Sequence, residues 1–565
     1  MKQVSLNRGG WLHAALLWIV ISPGLWMASH AAATPPADVA SLIQGRLLGN
    51  AASPAAVPAQ RPPLLRLYPP GEVQALWLDA ANRPTLAARQ ALALLADAAS
   101  HGLDPADYQP VRLAGLAADL TAMFPGDVRG VAADFELGLS TAMLNYLQHL
   151  HVGRVEPRAI RFRIPSRAQE RDFAGVLLGA LAGNRLSQAI DEMAPDLSQY
   201  RGLRAALRRY RAIAAEPALP TLSAFAPSVR IRPGDEYAPA AALHARLTAF
   251  GDLPAREPWP ADAPAVYDGM LVEGVKQFQR RHGLADDGVL GKSTLAALHV
   301  PPDRRVRQIE LAMERLRWLP HFGTRPIVAI NIPMFRLWAR DPALPPGDAP
   351  LNMNVIVGRA LNTQTPVFID EMTHLIFRPY WNVPRSIVRN EILPAMQRQP
   401  DYLQRHDMEI VRGQGDDAQP VEASADNVAL LRQGALRLRQ RPGPRNSLGQ
   451  VKFVFPNDAN VYLHGTPAQQ LFSRTRRDFS HGCVRLEDPV ALAQWALSDQ
   501  PEWTRERIVA AMQGPKSQRV FLLRPAQVIL YYVTAMVMPE DGTIRFVDDI
   551  YGHDRALDKA LTARR

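Results

Sequence analysis

The sequence predicts a multidomain α+β protein of 565 residues, and three observations carry that reading. A helical periodicity runs through the first half, a compact helix–loop–helix unit sits near the middle, and short β-rich runs recur from about Arg325 onward. At about 100–200 residues per domain, a chain of this length divides into three or four units. A hydrophobic share of 47% with 21% charged residues excludes a chain disordered throughout.

The N-terminus reads as an export signal over residues 1–33. Lys2 and Arg8 precede an apolar run from Trp11 to Trp26, broken at Pro23-Gly24 and followed by the small-residue stretch Ala28 to Ala33. That order, positive then apolar then small, is a secretory signal peptide cleaved after Ala31 or Ala33; the alternative is an uncleaved anchor. The apolar run falls short of the roughly 20 residues that span a bilayer, and no later segment reaches that length without charges. Membrane attachment is thus expected only through this N-terminal signal or anchor. The Pro/Ala-rich residues 34–63 read as a linker.

Residues 64–255 have the pattern of a helical scaffold. Ala87 to Ala99, Gly130 to Leu150 and Phe173 to Asp191 each place apolar residues three and four apart, and no catalytic cluster appears among them. Residues 262–302 form the compact unit. Leu271, Val275 and Phe278 share one helix face, Asp286-Asp287-Gly288 makes a turn, and Ser293 or Thr294 is placed to cap a second helix bearing Leu295 and Leu298. Gly291-Lys292-Ser293 is not a phosphate loop, because GxxxxGK[ST] needs Gly where Asp286 stands. A connecting helix at 303–324 leads to a mainly β domain, 325–525, followed by a β segment and tail at 526–565. Between Pro384 and Gln450 the texture changes to helical pieces and the loop RLRQRPGPRNSLGQ. This is an insertion at about 385–449, read as a cap over substrate or as a plain surface excursion.

The formal charge of +10 comes from 64 Lys+Arg against 54 Asp+Glu; six are Lys (2, 276, 292, 452, 516, 559) and the remaining 58 are scattered Arg. Scattered arginine reflects coding bias more than a nucleic-acid footprint, and no nucleic acid is expected as a partner.

An exported chain with one cysteine makes no internal disulfide, so Cys483 is either a buried inert thiol or a reactive one. Its neighbours favour reactivity. In VYLHGTPAQQLFSRTRRDFSHGCVRL, Val461 to Leu486, His481 lies two residues before Cys483, His464 nineteen before, and Arg485 two after. A thiol with an ordinary pKa of about 8.5 is mostly protonated at neutral pH, so a nucleophilic Cys needs a base or positive surroundings. Three other readings stand beside this one. His464, His481 and Cys483 could ligate zinc, although no CxxC or HExxH spacing is present. Ser480 or Ser473 could be a nucleophile, although neither lies in GxSxG. The cluster could also be structural.

HGT at 464–466 followed by SHGCVRL at 480–486 resembles the signature of the YkuD-type L,D-transpeptidases, cysteine enzymes that cross-link peptidoglycan. LWLD at 76–79, HGLDPADY at 101–108, HVGRVEP at 151–157, PYWNVPRSI at 379–387 and DIYGHD at 549–554 are similar to its large, scaffold-bearing YcbB-like branch. The spacing of Gly274, Phe278, Gln279, Gly283, Leu284, Asp287, Gly288, Gly291 and Thr294 resembles the peptidoglycan-binding helical module of cell-wall enzymes.

The resemblance implies Cys483 as nucleophile, His464 as its general base and the Gly465 carbonyl as the group that orients His464. It implies an oxyanion site shaped by His481, Gly482 and the Cys483 amide, preceded by Ser480 of the motif. Arg485 would contact substrate or hold the loop, unless it pairs with Glu487 or Asp488; Tyr462 and Trp381 would line the donor groove, unless they are core. No metal or cofactor is implied. The implied reaction takes a tetrapeptide stem as donor, expels D-Ala, and passes the Cys thioester to a neighbouring stem's amine as a 3→3 cross-link. An L,D-carboxypeptidase using the same residues and a non-catalytic wall-binding scaffold are the alternatives. Wall synthases are candidate partners, carbapenems are expected to acylate Cys483, and the expected location is the periplasm.

Overall fold

The computed structural model describes residues 37–48, 61–122, 128–167, 170–216, 219–220, 222, 230–254, 259, 264–343, 350–361, 363–415 and 417–563. The expected signal, 1–33, lies outside them, and among the described residues no helix is long and apolar enough to cross a membrane.

The N-terminal unit is built around the helix Arg129–Val152, buried along most of its length and ringed by Ala37–Leu48, Arg61–Leu67, Leu86–Ala96, Pro110–Ala122 and Phe173–Ala182. The single helix expected from Phe173 to Asp191 is two, broken at Gly183-Asn184, where Asn184 turns to φ 49°. Residues 37–48 correct the linker reading. Val39, Ile43 and Leu47 fall four apart and are 0–2% exposed, and Arg46 bonds Asp134 at 2.8 Å. The Pro/Ala-rich flanks had masked that spacing.

A buried carboxyl ties this unit together. Glu136 accepts from the Leu76 and Trp77 amides and from the Tyr68 hydroxyl (3.0 Å), and burial raises its pKa from 4.5 to about 7. Because the folded pKa lies above the unfolded one, the stabilisation is complete below about pH 4.5 and is lost as pH rises through 7. The shift corresponds to on the order of 3 kcal/mol. Glu136→Gln should therefore melt with a nearly flat pH dependence, whereas the wild type loses stability between about pH 4.5 and 7. Parallel wild-type and variant melting curves across that range would exclude Glu136 as the source.

A second core corrects the extent assigned to the scaffold and to the compact unit. Helices Ser198–Ala215 and Ala240–Phe250 share a core with Gly269–Arg281, Lys292–Leu298 and the connecting helix Pro302–Leu316, and Ser198–Ala215 also touches the N-terminal unit through Tyr200 and His101. Leu247 and Leu253 lie so close to Gly274 that a Cβ there would meet Leu253 at 2.8 Å. Arg281 clamps Asp252 through two bonds of 2.6 and 2.5 Å. Helix Lys292–Leu298 begins at Gly291 without a side-chain cap; Thr294, expected as a cap, is buried and accepts from Gln279 Nε2 at 3.1 Å. Glu314 and Arg317, at the end of the connecting helix, join the two cores. Glu314 accepts from the Val155 amide (2.9 Å), and Arg317 donates to Glu314 (2.8 Å), Tyr200 (3.0 Å) and the His101 carbonyl.

The C-terminal part contains strands β1 (Ile327–Asn331), β2 (Arg336–Arg340), β3 (Leu351–Gly358), β4 (Phe368–Phe377), β5 (Trp381–Asn382), β6 (Met408–Arg412), β7 (Gln419–Val421), β8 (Arg437–Gln440), β9 (Val451–Val454), β10 (Leu463–His464), β11 (Asp478–Ser480), β12 (Val484–Leu486), β13 (Gln518–Tyr531), β14 (Ala535–Val537) and β15 (Ile544–Phe546). Among the described residues the main sheet runs β11-β3-β12-β10-β9-β4-β13-β1-β2, and β2 pairs back onto β3, so it closes on itself. The boundary expected at 525 falls inside β13, which pairs with both β1 and β4. The helix His553–Thr562 buries Leu557 and Leu561 in the same core as the sheet, so the described part of the expected tail, 526–563, is not a separate unit.

The insertion is a small α+β unit. A sheet ordered β5-β8-β6-β7 packs with short helices around Ile392, Leu403, Ile410, Leu431 and Leu438. Its strands were missed because segments such as Arg437–Gln440 (RLRQ) show only one apolar residue.

Candidate active site

Strand register assembles the site. Leu463 lies opposite Phe453 and Val484, and His464 opposite Lys452 and Arg485. Side chains alternate along a strand, so Leu463, Phe453 and Val484 enter the core fully buried while Lys452, Tyr462, His464, Cys483 and Arg485 share the other face. With Trp381, Ser480 and His481 they line one cavity of about 1250 Å³ between the sheet and the insertion. The Tyr462 carbonyl accepts from the Val484 amide at 3.1 Å, which sets Tyr462 beside Cys483; its hydroxyl reaches both the Cys483 sulfur and Trp381. The thiol lies 3.7 Å from the Asn460 carbonyl.

His464 Nδ1 donates to the Gly465 carbonyl at 2.5 Å, which leaves the lone pair on Nε2. Burial lowers the His464 pKa to about 3, with Arg485 and Lys452 adding to the effect. Burial also raises the Cys483 thiol, against smaller opposing effects of Tyr462, Lys452 and Arg485. These shifts favour a neutral thiol and a neutral imidazole at rest. Alkylation of Cys483 by iodoacetamide should therefore keep accelerating with pH through about 9. A plateau near pH 6–7 would instead mean a preformed thiolate–imidazolium pair.

The loop carrying Cys483 is braced from three sides. Gly482 sits at φ +116°, a region that favours glycine. The Ser480 hydroxyl donates to the Cys483 carbonyl (2.5 Å) and accepts from the Gly482 amide (3.1 Å). Thr365, fully buried, accepts from the Gly358 amide and donates to the Gly482 carbonyl, both at 2.8 Å. Tyr551, from the DIYGHD segment, donates to the Gly358 carbonyl and accepts from the Thr365 amide at 3.3 Å. One expected role changes as a result: the Gly482 N–H serves Ser480, so glycine shapes the loop without offering that donor to an oxyanion.

His481 reaches the insertion, where its Nε2 lies 2.7 Å from Glu391 Oε1. Arg485 forms neither of the two ion pairs considered for it. Glu487 accepts from Asn354 and Asp488 caps Ala491, while the Arg485 Nε is buried with no partner among the described residues. Among those residues no three His, Cys, Asp or Glu side chains are placed to hold a metal ion.

Lys452, Glu391, Thr365 and Gly449 escaped the sequence reading. The Lys452 ammonium stands 3.8 Å from the centre of the Tyr462 ring. Gly449, at φ +63°, backs the end of β10: a Cβ there would meet the Gly465 carbonyl carbon and the Thr466 nitrogen at 2.7 Å each. Its place in an NSLG turn ahead of a strand was the only available signal.

Comparison with known proteins agrees with this layout. Residues 62–207 match a scaffold domain, 238–298 a "Putative peptidoglycan binding domain", and 325–511 the L,D-transpeptidase catalytic domain called YkuD. A Haemophilus influenzae protein named "Putative L,D-transpeptidase" is 32% identical over 283 residues, 49% of this chain and 55% of that protein. The match thus spans about half the length of that curated relative. The closed sheet and these matches agree: residues 325–511 are similar to the YkuD L,D-transpeptidase catalytic domain, beside a match to a scaffold domain and one to a peptidoglycan-binding domain.

Proposed function

We propose that the protein is an exported, periplasmic enzyme that forms 3→3 cross-links between peptidoglycan stem peptides through a Cys483 thioester, and so contributes to cell-wall organisation and cell shape. One observation carries this reading: His464 on β10 and Cys483, in the loop that leads into the adjacent β12, face one cavity between the sheet and the insertion. His464 Nε2 takes the thiol proton as sulfur attacks the carbonyl of the third stem residue. It returns that proton to the amine of the departing D-Ala, leaving a thioester. A side-chain amine of a neighbouring stem then attacks, loses a proton to His464, and displaces the thiolate, which is reprotonated. A roof that excludes water favours the amine over hydrolysis. Deleting 385–449 with no change in the ratio of cross-link to tripeptide would remove that role.

The test incubates the protein and its Cys483→Ala variant with disaccharide-tetrapeptide and follows products by mass spectrometry. A dimer formed with loss of D-Ala, and absent in the variant, is the expected result. Tripeptide alone would give the carboxypeptidase reading, and no turnover the wall-binding scaffold. An adduct of Cys483 with a carbapenem is expected in the same assay.

A further inference from the structure

The cavity over Cys483 is electrically one-sided. Arg385, Arg389, Arg432 and Arg437 line it from the insertion and Arg485 from the sheet, whereas Glu391 is the only carboxylate among its lining residues. Among the described residues none of these five arginines is ion-paired, and Glu391 is engaged by His481. Two details single out Arg385 and Arg485. Arg385 Nη2 donates to the Gly434 carbonyl at 2.7 Å, and a Cβ on Gly434, at φ +82°, would meet the Arg385 guanidinium carbon at 2.9 Å. The Arg485 Nε is buried without a partner, a donor that costs free energy until something accepts from it. Like charges around one cavity repel, and screening by salt over about 10 Å only dampens this. Such an arrangement disfavours the empty state and favours an anion. The planar guanidinium fork matches carboxylate in particular.

We propose that the inner wall of the insertion, with Arg485 beneath it, is a carboxylate-binding subsite that recognises the free carboxylates of an acidic stem peptide. The assignment rests on the acyl-transfer reading above for the identity of its ligand. Amidation of the stem carboxyls would remove the charge that the wall reads while leaving the scissile bond intact.

The experiment measures binding by calorimetry to the full-length Cys483→Ala protein, which cannot turn the ligand over. The ligands are two synthetic tetrapeptides, identical except that the side carboxyls are free in one and carboxamides in the other. The free acid should bind about tenfold more tightly, and the gap should narrow between about 50 and 500 mM salt. Adding Arg389→Gln and Arg432→Gln should weaken the acid's binding and spare the amide's. Equal affinities for the two peptides at low salt would overturn the subsite, and this comparison needs no cap variant to fold. Release of D-Ala by the wild type is read separately: its absence would sink the acyl-transfer reading, while the binding preference alone decides the subsite.

Discussion

His464→Ala should slow acylation of Cys483 by about 10³-fold at neutral pH with the fold intact. The imidazole is 4% exposed, held by a 2.5 Å bond to the Gly465 carbonyl, and uncharged down to about pH 3. It is therefore available as a base across the physiological range, and the thiol beside it is raised by burial, so little thiolate exists without help. Intact-mass kinetics of carbapenem adduct formation would measure the loss. The deficit should shrink as pH climbs toward 10, where hydroxide supplies the thiolate that His464 no longer does. A variant within tenfold of the wild type at pH 7 would pass the role of base to another group.

Gly449→Ala should cost about 10²-fold in kcat although residue 449 meets no substrate. Two effects act together. A side chain at φ +63° is strained by about 1–2 kcal/mol, and its Cβ would overlap the Gly465 carbonyl carbon and Thr466 nitrogen at 2.7 Å. Relief requires moving the peptide whose oxygen orients the imidazole. Gly443→Ala, in the same connecting segment but with nothing within 4 Å of its Cβ, is the control and should behave as wild type. Equal rates for the two variants would show that the His464 orientation tolerates displacement of that backbone.

The legible part of the site was the part local in sequence. Cys483, His464, Ser480, His481 and Arg485 fall within 22 residues, 464 to 485, and their spacing alone indicated nucleophilic chemistry. Lys452 joins them by antiparallel register, Glu391 by the approach of the insertion, and Thr365 and Tyr551 by a relay from two distant segments. None of these carries a signal that a linear reading detects. The fold behaved similarly. Long amphipathic helices and β-rich runs were visible from period alone, whereas the helix at 37–48 was masked by its proline-rich flanks. The module's true extent depended on Leu247 and Leu253 meeting Gly274 across more than twenty residues.

The order in which the chain is made gives β13 a further significance. Residues 518–531 lie past the end of the matched catalytic region at 511, yet they fill the gap between β4 and β1 in the middle of the sheet. A growing polypeptide displays those two strands with open edges until residues 518–531 arrive, and open edges recruit strands from other chains. The sheet that carries His464 is thus incomplete until β13 has been made, so a product ending at residue 511 would leave two strand edges open and be prone to aggregate.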